Sequence, residues 1–252
     1  MNRTLLITGG SGKLGRVFLQ YFAKNGWNIV ATARDKKRID NLRSSLGYIE
    51  GTIVGVSVDF GEPDSIDYLI DEVAKHGLSI SHLINNARSL ETLTVEKDGR
   101  TKHENFMREL EIDVVVPYEL AIKLSQSSSH DLKNIVNIGS MYGLVAPNPA
   151  LYEGTLKDSP IQYGVSKAAL HHLTRELAVR LSPKNIRVNC VAYGGVEGRV
   201  DDAFLTRYAA LTPSRRMLNE DEIVGPVDFL LNESSSSVNG HVLVADGGWT
   251  IW

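Results

Sequence analysis

The sequence predicts a single α/β domain, a doubly wound sheet of about seven parallel strands with helices on both faces. Three observations predict it. Apolar, β-branched runs alternate with helix-period stretches from end to end, as parallel strands joined by crossover helices require. The first of those runs passes through a glycine turn straight into an amphipathic helix. No Pro/Ser/Gly-rich linker divides the 252 residues, so residues 1–252 are read as one domain. The expected strands are Thr4 to Thr8, Asn28 to Ala33, Thr52 to Val58, His82 to Asn85, Asn134 to Ile138, Ile186 to Ala192 and His241 to Ala245. In such sheets ligands bind beyond the carboxyl ends of the strands, where strand order reverses.

Composition narrows the function classes. The chain is 42% hydrophobic and 23% charged, the mix of an ordinary globular protein that builds a core without disulfides. A formal net charge of −3 gives no reason to expect a nucleic-acid or membrane partner. The single Cys190 cannot form an internal disulfide, which agrees with a reducing, cytoplasmic setting, and it reads as a small buried apolar residue. Leu5-Leu6-Ile7 begins almost at the initiator Met, so no signal peptide is expected, and no apolar run is long enough to span a bilayer. No metal is expected.

The first strand runs into Thr8-Gly9-Gly10-Ser11-Gly12-Lys13-Leu14-Gly15 and then a helix with Val17, Phe18 and Tyr21 at its apolar positions. Glycines let backbone approach a pyrophosphate, and the helix N-terminus supplies amides and a positive dipole end. The spacing is GxxGxxG. At the end of the second strand stand Ala33, Arg34 and Asp35. A carboxylate there would hold the ribose 2′-hydroxyl of NAD; a small residue followed by Arg leaves room for the 2′-phosphate of NADP and neutralises it. Ala33 and Arg34 therefore predict NADP, helped by Lys13 and Arg16, with NAD favoured instead should Asp35 face the ribose. After the third strand, Asp59 and Phe60 stand where an adenine amino group needs an acceptor, and Asp64 is expected to cap the next helix. The amides of Asn85 and Asn86, before Ala87, either brace the sheet or line the cofactor groove.

Ser140 follows the fifth strand and would hydrogen-bond a substrate oxygen. Tyr163 and Lys167 lie at i and i+4 of a helix-period stretch and share one face. An ammonium beside a phenol favours the phenolate, against an unperturbed value of about 10, which suits proton exchange at a carbonyl or hydroxyl oxygen.

With Thr8 to Gly15, Asn85-Asn86-Ala87, Ser140, Tyr163-xxx-Lys167 and Ala245-Asp246-Gly247-Gly248 in order, the chain resembles the short-chain dehydrogenase/reductase family along essentially its whole length. The resemblance implies a Rossmann-type domain, NAD or NADP as hydride carrier, and a homodimer or homotetramer. It assigns Tyr163 as acid/base, Lys167 as a clamp on the nicotinamide ribose, Ser140 as donor to the substrate oxygen, and Val196 to the cofactor groove. Ser140 to Pro147, Leu151 to Thr155 and Asp246 to Thr250 further resemble the oxidoreductases of flagellin-modification and nonulosonic-acid loci. That narrower resemblance implies a sugar or sugar-phosphate substrate.

The sequence departs from the family at several positions. Asp113 stands for the helical Asn of the proton relay, Arg88 for a Gly, Tyr193 for a Pro, and Gly198 where a Thr often touches the cofactor. The 141–160 segment between Ser140 and Tyr163 is longer than usual and is expected to be a substrate loop, with Tyr142 and Tyr152 stacking on a sugar and Glu153 and Thr155 bonding its hydroxyls. The expected function is an NADP(H)-dependent oxidoreductase acting on a hydroxyl or ketone of a polar, sugar-like small molecule. The alternatives are a dinucleotide-binding sensor or assembly subunit that has lost catalysis, and a reductase of acyl-type ketones.

Overall fold

The computed structural model describes residues 3–153, 159–198 and 200–252. All the expected strands form: β1 (Thr4–Ile7), β2 (Asn28–Ala33), β3 (Ile53–Ser57), β4 (His82–Asn85), β5 (Asn134–Ser140), β6 (Arg187–Tyr193) and β7 (Val242–Ala245). They make one parallel sheet in the order β3-β2-β1-β4-β5-β6-β7, so strand order reverses between β1 and β4. The connecting helices are α1 (Lys13–Lys24), α2 (Lys37–Ser45), α3 (Ser65–Lys75), α4 (His103–Leu110), α5 (Val116–Gln126), α6 (Ile161–Leu181), α7 (Asp202–Ala210) and α8 (Val224–Leu231). Among the described residues no helix is long and apolar enough to cross a membrane.

The two-residue period of the strands sorts the core onto two faces. Leu5, Ile7, Ile29, Ala31 and Val136 meet Phe18, Leu19 and Phe22 of α1 and Val227 of α8 on one face. Leu6, Val30, Leu83 and Ile135 meet Leu69 of α3, Leu120 of α5 and Leu177 of α6 on the other. Each such large side chain contributes about 1.5–3 kcal/mol by leaving water. A third cluster of Met141, Leu151, Tyr208, Met217 and Trp249 stands apart from the sheet and ties the connection after β5 to α7 and the chain end.

Three local features differ from expectation. β5 continues past its apolar run through Gly139 and Ser140, which pair with Ala192 and Tyr193. Gly139 is required there because a Cβ would stand 2.4 Å from Nε2 of His171 on α6. Asp64 does not cap α3 with its side chain. It sits in the left-handed region at φ 57, and its backbone carbonyl accepts from the Tyr68 amide instead. Finally, a single π-helical turn, Glu111–Val115, joins α4 to α5 and leaves the Asp113 side chain buried. Such turns shift side-chain register within a helix, and no sequence signal announced this one.

Candidate active site

A cleft of about 1260 Å³ lies beyond the carboxyl ends of the strands and runs across the β1/β4 reversal. Its floor is the glycine turn. Gly9 has φ +65, and a Cβ on it would come within 2.9 Å of Ala87 Cα; a Cβ on Gly15 would come within 2.2 Å of the Gly9 carbonyl. The Thr8 hydroxyl oxygen accepts from the Asn86 and Ala87 amides, each at 2.9 Å, and Asn86 Nδ2 donates to the carbonyls of Thr8 and Gly9 at 2.9 and 3.1 Å. The end of β4 thus fixes the turn after β1. Helix α1 starts from Gly12 with no side-chain cap and no acid in its first turn, so its amide end is left for an anion.

Gly9, Ser11, Gly12, Lys13, Leu14, Ala33, Arg34, Asp59, Phe60, Asn86, Ala87, Ser140, Tyr163, Lys167 and Val196 all line this cleft. Gly15 and Asn85 do not. Gly15 is the close-packing glycine behind the turn, and Asn85 donates to Asn137 Oδ1 at 2.8 Å, while Asn137 donates to Thr174 at 2.9 Å. Of the two roles open to the amides, Asn85 takes the brace and Asn86 serves both. The Lys13 ammonium donates to the carbonyls of Val196, at 2.8 Å, and Glu197, tying α1 to the connection after β6. Arg16 pairs with Glu220 and so adds little net charge to the cleft.

At the end of β2 Asp35 also lines the cleft, and its carboxylate accepts the Lys37 amide at 3.0 Å. Arg34 lines the cleft and pairs with Glu91 at 2.9 Å. Arg38, one helical turn further along, also lines it; its spacing from Arg34 was the signal that sequence reading passed over. Asp59 Oδ1 accepts the Gly61 amide at 2.9 Å and Arg108 Nη2 at 2.7 Å, which hold the carboxyl below its ordinary range, the Gly61 amide foremost.

At the other end, α6 presents Tyr163 and Lys167 beside Ser140, the last residue of β5, whose hydroxyl oxygen accepts the Tyr142 amide at 3.2 Å. Lys167 Nζ lies 5.8 Å from the centroid of the Tyr163 ring. It donates to Asp113 Oδ1 at 2.8 Å and to the Ile138 carbonyl at 3.0 Å. Burial opposes its charge, but the Asp113 carboxylate and the Tyr163 oxygen outweigh burial and hold the ammonium above the ordinary lysine value. Asp113 Oδ2 accepts the Ser166 hydroxyl at 2.7 Å. Asp113 therefore sits behind the cleft as the direct counter-ion of Lys167, not as a stand-in for an amide donor. One turn before it, Glu109 is buried against the Thr92 hydroxyl, its carboxyl pushed up by burial and then by Asp113.

The 141–160 segment is built differently from expectation. The hydroxyls of Tyr142 and Tyr152 meet at 2.9 Å, and Tyr152 packs edge-on to Phe204 of α7 at 6.1 Å. Tyr142 still lines the cleft, but Tyr152 faces the third cluster instead. Glu153 pairs with Arg207 of α7 at 2.9 Å, which occupies the carboxylate expected to bond sugar hydroxyls. Thr155 lies outside the described residues. Tyr193 is a buried cleft-lining residue whose hydroxyl donates to the Ile223 carbonyl.

An uncapped helix end over crowded glycines, cationic residues at the end of β2, and a Ser, Tyr and Lys at the far end fit a nicotinamide dinucleotide laid along one cleft. The fold and site define an oxidoreductase that uses such a cofactor on a small-molecule substrate. The chain belongs to the short-chain dehydrogenase/reductase family. The family model described as enoyl-(acyl carrier protein) reductase matches residues 13–250. Post-translational flagellin modification protein A of Campylobacter coli is 26% identical over 258 residues, covering 98% of each chain. The short-chain type dehydrogenase/reductase y4vI of Sinorhizobium fredii is 32% identical over 98% of this chain, which spans only 43% of that relative's length. Among solved structures, a short-chain dehydrogenase from Leptospira borgpetersenii with bound NAD+ superposes with a TM-score of 0.82 at 25% identity, over 100% of this chain and 94% of that one.

Proposed function

We propose that this protein is an NADP(H)-dependent oxidoreductase acting on a hydroxyl or ketone of a sugar-like substrate. The observation that carries the cofactor choice is at the end of β2, where Ala33 leaves space, Arg34 and Arg38 line the cleft, and the Asp35 carboxylate is turned onto the Lys37 amide. A 2′-phosphate would find two guanidinium groups there, and the one carboxylate of the strand end, Asp35, is engaged by a backbone amide. Glycines 9 and 12 and the first turn of α1 would hold the pyrophosphate, and Lys167 the nicotinamide ribose. When bound, the nicotinamide supplies or accepts the hydride. Tyr163 gives the substrate oxygen its proton in reduction and removes it in oxidation, while the Ser140 hydroxyl donates to the same oxygen. Lys167, kept charged by Asp113, favours the negative oxygen of Tyr163 after the proton has left.

The likeness to a relative named for flagellin modification supports a sugar derivative over an acyl ketone. Val165 and Val179 on α6 and Tyr118 on α5 are exposed apolar side chains, which supports assembly into a homodimer or homotetramer. Fluorescence titration with NADPH and NADH, followed by a screen of sugar phosphates and nucleotide sugars, tests the reading. Tighter binding of NADPH with turnover of a sugar derivative is the expected result, and equal affinity for the two cofactors would refute the NADP assignment.

A further inference from the structure

We propose that Arg88 makes the reacting end of the cleft a binding site for an anionic substituent, a carboxylate or phosphate carried by the substrate close to the carbon that reacts. This rests on the oxidoreductase reading above and narrows its substrate class. Arg88 follows Asn85-Asn86-Ala87 at the end of β4 and lines the cleft. Its guanidinium carbon lies 4.9 Å from the centroid of the Tyr163 ring, the side chain that handles the proton. It makes no ion pair or side-chain hydrogen bond among the described residues. Three other cations lining the cleft are paired: Arg34 with Glu91, Arg108 with Asp59 and Lys167 with Asp113.

Glu109, the carboxyl whose charge Arg88 favours, is buried and hydrogen-bonded with Thr92 and makes no ion pair with Arg88. A guanidinium with no ion-pair partner among the described residues therefore stands beside Tyr163, on a planar fork that matches carboxylate and phosphate oxygens in pairs. Stacking on the ring orients that fork, and the stacking itself contributes only about 0.5–1 kcal/mol at an exposed site. Arg38, at the other end of the cleft where the cofactor's 2′-phosphate is proposed to lie, likewise has no ion pair among the described residues.

Calorimetric titration of the NADP+-loaded protein with malonate, inorganic phosphate and neutral malonamide tests this on the parent, Arg88→Met and Arg88→Lys. The parent is expected to bind malonate or phosphate saturably, and whichever binds tighter identifies the anion. Arg88→Met should weaken that binding by about tenfold or more, as loss of a paired, charge-assisted contact implies, with Arg88→Lys between the two. Malonamide should not distinguish the variants. Anion binding that is absent in the parent, or equal in parent and Arg88→Met, would overturn the proposal. So would a loss confined to NADP+ affinity, which would hand Arg88 to the cofactor. Failure of the parent to bind NADP+ at all would instead sink the cofactor reading, and malonate titration of the unloaded protein would still read Arg88.

Discussion

Lys167 and Asp113 form a buried ion pair, Nζ to Oδ1 2.8 Å, with 7% and 2% of their side chains exposed. Removing one partner of such a pair leaves a buried charge alone, which costs about 3–5 kcal/mol. Asp113→Ala is therefore expected to lower stability by that order in urea unfolding. Asp113→Asn keeps an acceptor for Lys167 without the charge and should cost less. Because the folded-state value of Lys167 is raised, the pair's stabilisation is present below the unfolded lysine value of about 10.4 and is lost as pH rises through the folded value. The parent should thus lose stability at alkaline pH more steeply than Asp113→Asn. Parallel alkaline limbs would contradict the counter-ion role.

Tyr163→Phe removes only the proton-carrying oxygen. Turnover should fall by about two to four orders of magnitude, as expected when an acid/base group is deleted, with NADPH affinity nearly unchanged. Lys167→Ala should harm both, since one ammonium is asked to hold the ribose and favour the phenolate. Retained turnover in Tyr163→Phe would end the assignment.

Most of this was legible in the sequence, because strand, glycine turn and helix follow one another with local signals. Gly9, Gly12, Ser140, Tyr163 and Lys167 reach the cleft because parallel strands deliver their ends to one side. What was not legible depends on contacts between distant segments. The π-helical turn that aims Asp113 at Lys167 has no composition cue. Asn85 and Asn86 are chemically alike, and only the alternation of strand faces sends one into the sheet and the other to the turn. Glu153 pairs with a residue 54 positions away, a partner that spacing alone cannot name.

Arg34 should contribute to NADPH binding by about 1.5–3 kcal/mol, the range of a charge-assisted hydrogen bond. Arg34→Ala is expected to weaken NADPH by roughly that much and to leave NADH unchanged. Its existing pair with Glu91 is exposed and costs little to exchange. Titration of both cofactors against the variant checks this, and a parallel loss for NADH would mean that Arg34 does not meet the 2′-phosphate.

Acid should destabilise the protein through its buried histidines. His82 and His171 are lowered to about 4, chiefly by burial, so both are neutral in the folded state at pH 7. A group depressed in this way contributes stability that is complete above its unfolded value of about 6.5 and is lost as pH falls toward the folded value. Each accounts for about 3 kcal/mol across that window. His171→Leu should therefore narrow the difference in urea stability between pH 7 and pH 4.5. An unchanged difference would show that His171 protonates without opening the packing it makes with Gly139 and Gly143.

The long connection between Ser140 and Tyr163 gives the last prediction. Its first part is docked: Leu151 is buried in the third cluster, its carbonyl accepts Arg207 Nε at 2.9 Å, and Glu153 pairs with the same guanidinium. Tyr142, which lines the cleft, is held by Tyr152 from that segment. Deleting Asn148 to Asp158 would remove Leu151 from its core, so its effect would mix folding with function. Arg207→Ala is the sharper variant, because it removes the polar ties of Leu151 and Glu153 to α7 and leaves the apolar packing on Phe204 and Tyr208 in place. If the segment positions substrate, this variant should raise substrate KM by about tenfold, the value of one charge-assisted contact, while NADPH affinity and oligomeric state persist. Dissociation of the oligomer with unchanged kinetics per site would instead place the segment at a subunit contact and end its role as a substrate loop.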